Sequence, residues 1–343
     1  MLFFLFPLYQ SLAGDPEWHF QLEHYPDVLW HICAVSRNVC WVLGVHGTIL
    51  RTTDAGNTWA PVQDAWIASK ALTALTAFGP GVAIAAISTY NPWSNRSFSP
   101  GDTSWILRTS DGGHSWHQVL CQPGGFFNGI HRLGTSGAIT LGEPLGGRWT
   151  ILLSSNAGRK WTPVADAPMQ TGSETGSLGS TAARGDRSVW FGAVDRGSST
   201  TSSCIYRSTD GGNHWTHSVL PFPNPHTLDF RDSLVGIVST TKRQIARTTD
   251  GGTSWSIVTL PADEASGDVA ASPDGQLWLT QYRSVLSSTD AGQTWSRVWR
   301  AHPSHKVVMK FDLVMEGDSL FGWATTWVGG IARFEGKAVK CAR

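Results

Sequence analysis

The sequence predicts an all-β protein, a single seven-bladed β-propeller of four-stranded blades, on three observations. One eight-residue phrase recurs six times; the shortest spacing between copies equals the length of one blade; and seven pairs of inner-strand segments accompany the six copies. The phrase, called the box below, reads Ser/Thr-x-Asp-x-Gly-x-x-Trp. Its third position is Asp54, Asp111, Asn156, Asp210, Asp250 and Asp290, and it closes on Trp59, Trp116, Trp161, Trp215, Trp255 and Trp295. The intervals are 57, 45, 54, 40 and 40 residues, so the longer ones measure insertions into a 40-residue unit. Chemically the box is a tight turn. The carboxylate accepts hydrogen bonds from N–H groups of its own loop, the glycine takes a positive φ, and the tryptophan opens the next strand with its ring over the turn.

The strands follow in order. Ahead of each box stands an alternating or β-rich segment, then one rich in small residues: 31–35 with 40–45, 72–78 with 82–88, and 128–133 with 138–142. The pattern continues with 178–183 and 189–194, 227–230 and 235–240, 268–271 and 277–282, and 307–314 and 320–328. The seventh unit has the pre-box strand, 330–334, but no box. Residues 17–22, EWHFQL, resemble the post-box strand SWHQV of 115–119, so they are expected to pair with the C-terminal unit and close the ring, removing its free edges.

Composition narrows the function. With 26 basic and 26 acidic residues there is no global field to attract nucleic acid or an anionic membrane. A 41% hydrophobic content excludes a largely disordered protein, and no apolar run beyond the N-terminus approaches the ~18 residues of a membrane helix. Residues 1–14, MLFFLFPLYQSLAG, read as a signal peptide or an apolar N-terminal segment, with the propeller over 15–343. The expected location is exported, periplasmic or extracellular. The cysteine count is odd, and no Cys/His spacing resembles a metal site, so no metal or other cofactor is expected. Cys33 and Cys40 flank a turn and have two readings, a hairpin disulfide or two small buried hydrophobes in adjacent strands.

The boxes TTDAGNTW, TSDGGHSW, STDGGNHW and their companions resemble the Asp-box, or bacterial neuraminidase, repeat over residues 17–335. Within that superfamily, GTILRTTDAGNTW, LRTSDGGHSW and TLGEPLGGRW look most like the photosystem II stability/assembly factor-like proteins of bacteria and plants. That resemblance implies a non-catalytic propeller that holds a protein segment during assembly. Sialidases share the boxes, and the resemblance to them would imply an arginine triad, a Tyr nucleophile assisted by Glu, an acid Asp and an Arg-Ile-Pro phrase in the first blade. No Arg-Ile-Pro occurs, and the first blade offers only Arg37 and Arg51, so that catalytic set is not recoverable by motif. GxSxG, Walker, GxGxxG and HExxH signatures are also missing.

With strands A to D numbered outward from the channel, the boxes are C–D turns on one face, and the B–C and D–A connections lie on the other. Function is expected on that second face, where the insertions 89–102 and 195–203 lie. Its B–C loops carry Arg96, Arg148, Arg196, Lys242 with Arg243, and Tyr282 with Arg283. Guanidinium groups aimed at one rim would suit an acidic peptide, the C-terminal carboxylate of a protein or an anionic glycan. Tyr90 and Trp93 would add an aromatic anchor. The expected protein is a monomer that acts as an assembly or stability scaffold for a membrane or envelope protein. The alternatives are a secreted carbohydrate-binding propeller and a glycoside hydrolase using Glu143 and Glu174 as paired carboxylates, which would need about 5 to 9 Å between them. Six of the 18 tryptophans and nine of the 37 glycines sit in boxes, so the unusual composition is mostly turn chemistry, which leaves Trp93 as the tryptophan to test for function.

Overall fold

Each box folds into the same hydrogen-bonded turn. In the first, the Thr52 hydroxyl donates to Asp54 Oδ1 (2.8 Å) and accepts the Gly56 N–H (2.9 Å), while Asp54 accepts the N–H and the hydroxyl of Thr58 (2.9 and 2.6 Å). The same set recurs around Asp111, Asp250 and Asp290, and Asn156 reproduces its backbone part through the N–H of Lys160 (2.9 Å). These bonds hold the Asp210 and Asp250 carboxyls down at about 2, because burial, which opposes ionisation, is outweighed by the backbone and side-chain donors around them. The glycine has positive φ, as the sequence required, and so does the residue before it. That residue is Ala55, Ala157 or Ala291 in three boxes and glycine in the others.

The computed structural model describes residues 17–62, 64–94, 99, 101–195, 202–240, 242–261, 266–282, 284–300 and 308–337. They form seven four-stranded antiparallel sheets arranged in a ring, each inner strand packed against the next. Blade 1 runs Leu29–Ala34, Cys40–Gly44, Ile49–Thr52 and Ala60–Pro61. The inner strands of blades 2 to 7 are Ala71–Ala77, Phe127–Leu133, Glu174–Arg184, Leu228–Phe230, Ser266–Ala271 and Val308–Glu316. The outermost strand of blade 7 is Glu17–Leu22, paired antiparallel with Ile331–Lys337 in the register Trp18 to Phe334 and Phe20 to Ala332. The expected closure is therefore the observed one.

The core is divided among the blade joints. Seven apolar clusters each lie between two neighbouring blades. Each contains one box tryptophan, except the joint between blades 6 and 7, where Trp18 takes that place beside Phe334 and Trp299. The box glycine packs on the preceding blade: a Cβ on Gly56 would meet Trp323 at 3.0 Å, on Gly113 Trp41 at 3.0 Å, on Gly158 Ile84 at 2.2 Å and on Gly212 Ile139 at 2.6 Å. An arginine just before the box strengthens the joint on the other side. Arg51 donates to Gly112 O (3.0 Å), Arg108 to Ala157 O (2.9 Å) and Arg207 to Asp250 O (3.2 Å), all in the next blade.

Two expectations change. Cys33 and Cys40 are free thiols. The register sets Cys33 opposite Trp41 and Cys40 opposite Ala34, so their side chains emerge on opposite faces of the blade, one toward blade 2 and one toward blade 7. The structure thus has no hairpin disulfide here: Cys40 is buried and Cys33 half-buried, in adjacent strands. The second strand of blade 7 also ends at Thr326, short of the expected 328, which leaves Trp327 in a turn and 54% exposed.

Deleting residues 17–22 uncovers a strand edge and removes Trp18 from its joint, so calorimetry should show a large fall in melting temperature; an unchanged value would contradict the closure. Gly113→Ala forces a side chain into φ +91° against the rigid Trp41 ring and should cost about 1–3 kcal/mol in denaturant unfolding. Gly112→Ala should cost less, since its counterpart is alanine in three other boxes and only the Arg51 side chain must shift.

Candidate binding face and central channel

The inner strands surround a cavity of about 250 Å³. Its polar residues stitch successive blades together. His31 Nε2 meets Leu75 O at 3.0 Å, which requires the Nε2–H tautomer, and Arg132 donates to Ala77 O at 3.3 Å. His131 Nε2 meets Thr181 Oγ1 at 2.8 Å, and Arg184 pairs with Asp229 at 2.6 Å. Asp229 accepts the N–H of Ala271 (2.8 Å), Asp268 that of Phe311 (3.1 Å) and Asp312 that of Ala34 (2.8 Å). Six of the seven joints thus have a polar link at the channel among the described residues, and Arg132, which does not line the cavity, links blades 3 and 2 at the strand ends. Burial, followed by the Lys310 charge, lowers His31 to about 4; burial, then His31, Arg184 and Lys310, lower His131 to about 3. Both imidazoles are therefore neutral near neutral pH. Among the described residues, no group of three or more His, Cys, Asp or Glu is placed to hold a metal ion. None of the helices among them is long and apolar enough to cross a membrane.

On the face of the B–C and D–A connections, the described arginines of the expected rim are each engaged within their own blade. Arg148 opens the strand Arg148–Ser154 and donates to the Ala167 carbonyl of its own D–A connection, and Arg243 reaches Leu260 O at 3.5 Å. Lys242 lies beside Arg243, its N–H donated to Thr240 Oγ1 (2.9 Å). Arg96, Arg196 and Arg283 lie outside the described residues. Trp93, 39% exposed, rests its ring 4.8 Å from that of Trp30, which in turn lines the channel cavity. Tyr90 meets Phe126 edge-on at 5.2 Å, and Tyr282 stands half-exposed on a backbone with φ 44°.

Sequence reasoning missed three exposed side chains on this face. Trp66 sits on the short helix Ala65–Ala68, which Asp64 caps by accepting the N–H groups of Trp66 and Ile67, and its ring leans on Trp105 at 5.4 Å. Trp327 lies in the B–C turn of blade 7, and Met169 in the D–A connection of blade 3. A signal existed for Trp66: Asp64 one residue before Ala65 is a helix-cap pattern within a D–A connection.

The two carboxylates of the hydrolase reading are both engaged inside the fold. Glu143 accepts from Asn128 Nδ2 (2.8 Å) and from the Gly176 N–H (3.0 Å). Glu174 is buried and accepts from Tyr206 (2.7 Å), Cys204 (2.8 Å) and the Thr171 N–H (3.0 Å). Burial, reinforced by the hydrogen bond to Glu174, pushes the Tyr206 hydroxyl and the Cys204 thiol well above their ordinary ranges. Both therefore stay protonated, as donors to the carboxylate.

This architecture defines the class: a closed seven-bladed β-propeller with a polar channel and an aromatic-bearing face. No protein-family model matches the sequence, and no curated protein matches it either. Among solved structures it is similar to YCF48 bound to a D1 peptide, with TM-score 0.66 and 19% identity over 94% of this chain and 98% of that one. It is also similar to YCF48 from Cyanidioschyzon merolae, with TM-score 0.64 and 18% identity over 92% and 98% of the two proteins. A GH74 xyloglucanase from Xanthomonas campestris matches with TM-score 0.55 and 15% identity over 85% of this chain and 50% of that enzyme. At these identities the likeness is one of fold.

Glu174→Gln replaces an acceptor-only carboxylate with a group carrying two donors in front of three donors. Urea unfolding should show a loss of about 2–3 kcal/mol.

Proposed function

We propose that this protein is a non-catalytic, protein-binding propeller that holds a segment of a membrane or envelope protein during its assembly, on the face of the B–C and D–A connections. The observation that carries this reading is the placement of exposed apolar side chains. Eight large hydrophobics among the described residues are exposed, and Trp66, Trp93, Met169, Tyr282 and Trp327 are on this one face. Of the other three, Val219 and Ile257 lie on outer strands and Leu234 in an A–B loop, so the described residues of the box face offer no comparable surface. Aromatic side chains on a rigid scaffold supply contact area at low entropic cost and recur as interface hot spots. Arg148 and Arg243, with Arg96, Arg196 and Arg283 in the same set of loops, add donors for carboxylates, so an acidic segment is the partner that fits. A propeller of the same fold bound to a D1 peptide supports the reading, as does the resemblance of the boxes to assembly-factor propellers.

The test is affinity capture from an envelope extract of the source organism, with partners identified by mass spectrometry. Trp93→Ala combined with Trp327→Ala should weaken capture on the order of 10³-fold, at roughly 2 kcal/mol per hot-spot aromatic. The triple variant Arg148→Ala, Arg196→Ala, Arg283→Ala should abolish it, with circular dichroism unchanged in both. Undiminished capture by both variants would overturn the proposal. Turnover on a glycan panel that is lost in Glu143→Gln would favour the hydrolase instead.

A further inference from the structure

Three inner-strand carboxylates do the same work at successive joints. Asp229, Asp268 and Asp312 each accept a backbone N–H from the next blade, linking blades 5 to 6, 6 to 7 and 7 to 1. Two of them have a counterion: Arg184 pairs with Asp229 at 2.6 Å and Lys310 with Asp268 at 2.6 Å. Asp312 has no cationic side chain within 4.0 Å among the described residues. Its oxygens are held by two amides, those of Ala34 and Leu313, each at 2.8 Å. The joint it holds is the seam, where the first blade meets the last and where the N-terminal strand completes the sheet.

The groups around Asp312 come from every side of the channel. Blade 1 presents His31 and Cys33, blade 3 His131, blade 4 Arg184, blade 5 Asp229, blade 6 Asp268, and blade 7 its own Lys310. The two histidines are neutral above about pH 5 and supply no positive charge. Arg184 and Lys310 are already committed to the other two carboxylates. Burial is the largest influence on Asp312 and outweighs its two amide donors; the charge of Asp229 adds to it, that of Arg184 opposes it, and the carboxyl is raised to about 6.

We propose that the seam is a proton-sensitive joint of this ring, distinguished from the joint at Asp268 by its lack of a counterion among the described residues: Asp312 takes up a proton as the medium goes from weakly alkaline to weakly acid, and the contact between blades 7 and 1 tightens. Burial raises the carboxyl of Asp268 as well, there against the charge of Lys310. A neutral carboxyl keeps enough acceptor capacity for both amides, so the hydrogen bonds survive while the uncompensated charge disappears. The sign follows from linkage. The folded value lies above the unfolded one of about 3.9, so the stabilisation is complete below that value and is lost as pH rises through about 6. The titrations of His31 and His131 work in the opposite direction but fall below this window.

The experiment compares melting temperatures of the full-length protein and Asp312→Asn from about pH 5 to about pH 8 at constant ionic strength. The Asn side chain faces one of the two amide N–H groups with its own donors, which lowers the variant by a pH-independent offset; because it does not titrate, the wild type should gain several degrees on it as pH falls from the alkaline to the acid end. A gap that stays constant, or a wild type that gains on the variant as pH rises, overturns the proposal. If Asp312→Asn does not fold, hydrogen exchange of residues 29–34 in the wild-type protein decides, after correction for intrinsic exchange. Protection should rise on acidification through about pH 6; protection that is flat or falls refutes the device.

Discussion

The wedge of a box tryptophan and a box glycine against the preceding blade is the contact on which the rest of the structure depends. A four-stranded blade has two faces to cover and no core of its own, so each must bury both faces against neighbours. The box meets that need with one turn: its carboxylate fixes the loop, its positive-φ glycine brings the backbone up to the neighbour, and its tryptophan fills the joint. Gly113 against Trp41 and Gly158 against Ile84 show the closeness of approach, which a Cβ would prevent. Because the joint is cyclic, the seventh blade needs the same filler without a box, and Trp18 supplies it from the far end of the sequence.

The same ring requirement organises the channel. Inner strands converge there, and their polar side chains link one blade to the next through His31, His131, Arg184, Asp229, Asp268 and Asp312. The box face is committed to turn hydrogen bonds, with the arginines of one blade donating to the box of the next. The opposite face has no such repeated duty. Its loops differ from blade to blade, and it is there that Trp66, Trp93, Tyr282 and Trp327 remain exposed.

Most of the fold was legible because the box repeats. Six copies at known intervals set the blade length, seven inner-strand pairs set the blade count, and the match of EWHFQL to a post-box strand located the closing partner within the residues Glu17–Leu22. The candidate site was less legible. Arg148 and Arg243 are on the expected rim, yet both donate to backbone carbonyls of their own blade, which loop position does not reveal. Glu143 and Glu174 look alike as acidic residues near strand ends, and only their partners, Asn128 and Gly176 for one and Tyr206 and Cys204 for the other, show both to be engaged within the fold.

The sequence by itself determined the turn chemistry, the seven-fold count and the closure, since these depend on short-range patterns that survive without neighbours. The tertiary structure decided which face of a strand each side group takes and what it meets there. Cys33 and Cys40 were separated by register, Trp327 was released from its strand by an early end, and Asp312 was left without a cation among the described residues at the joint made by the first and last blades. The first two turn on strand register and strand ends within one blade, and the third on a contact between residues far apart in sequence, which only the closed ring fixes.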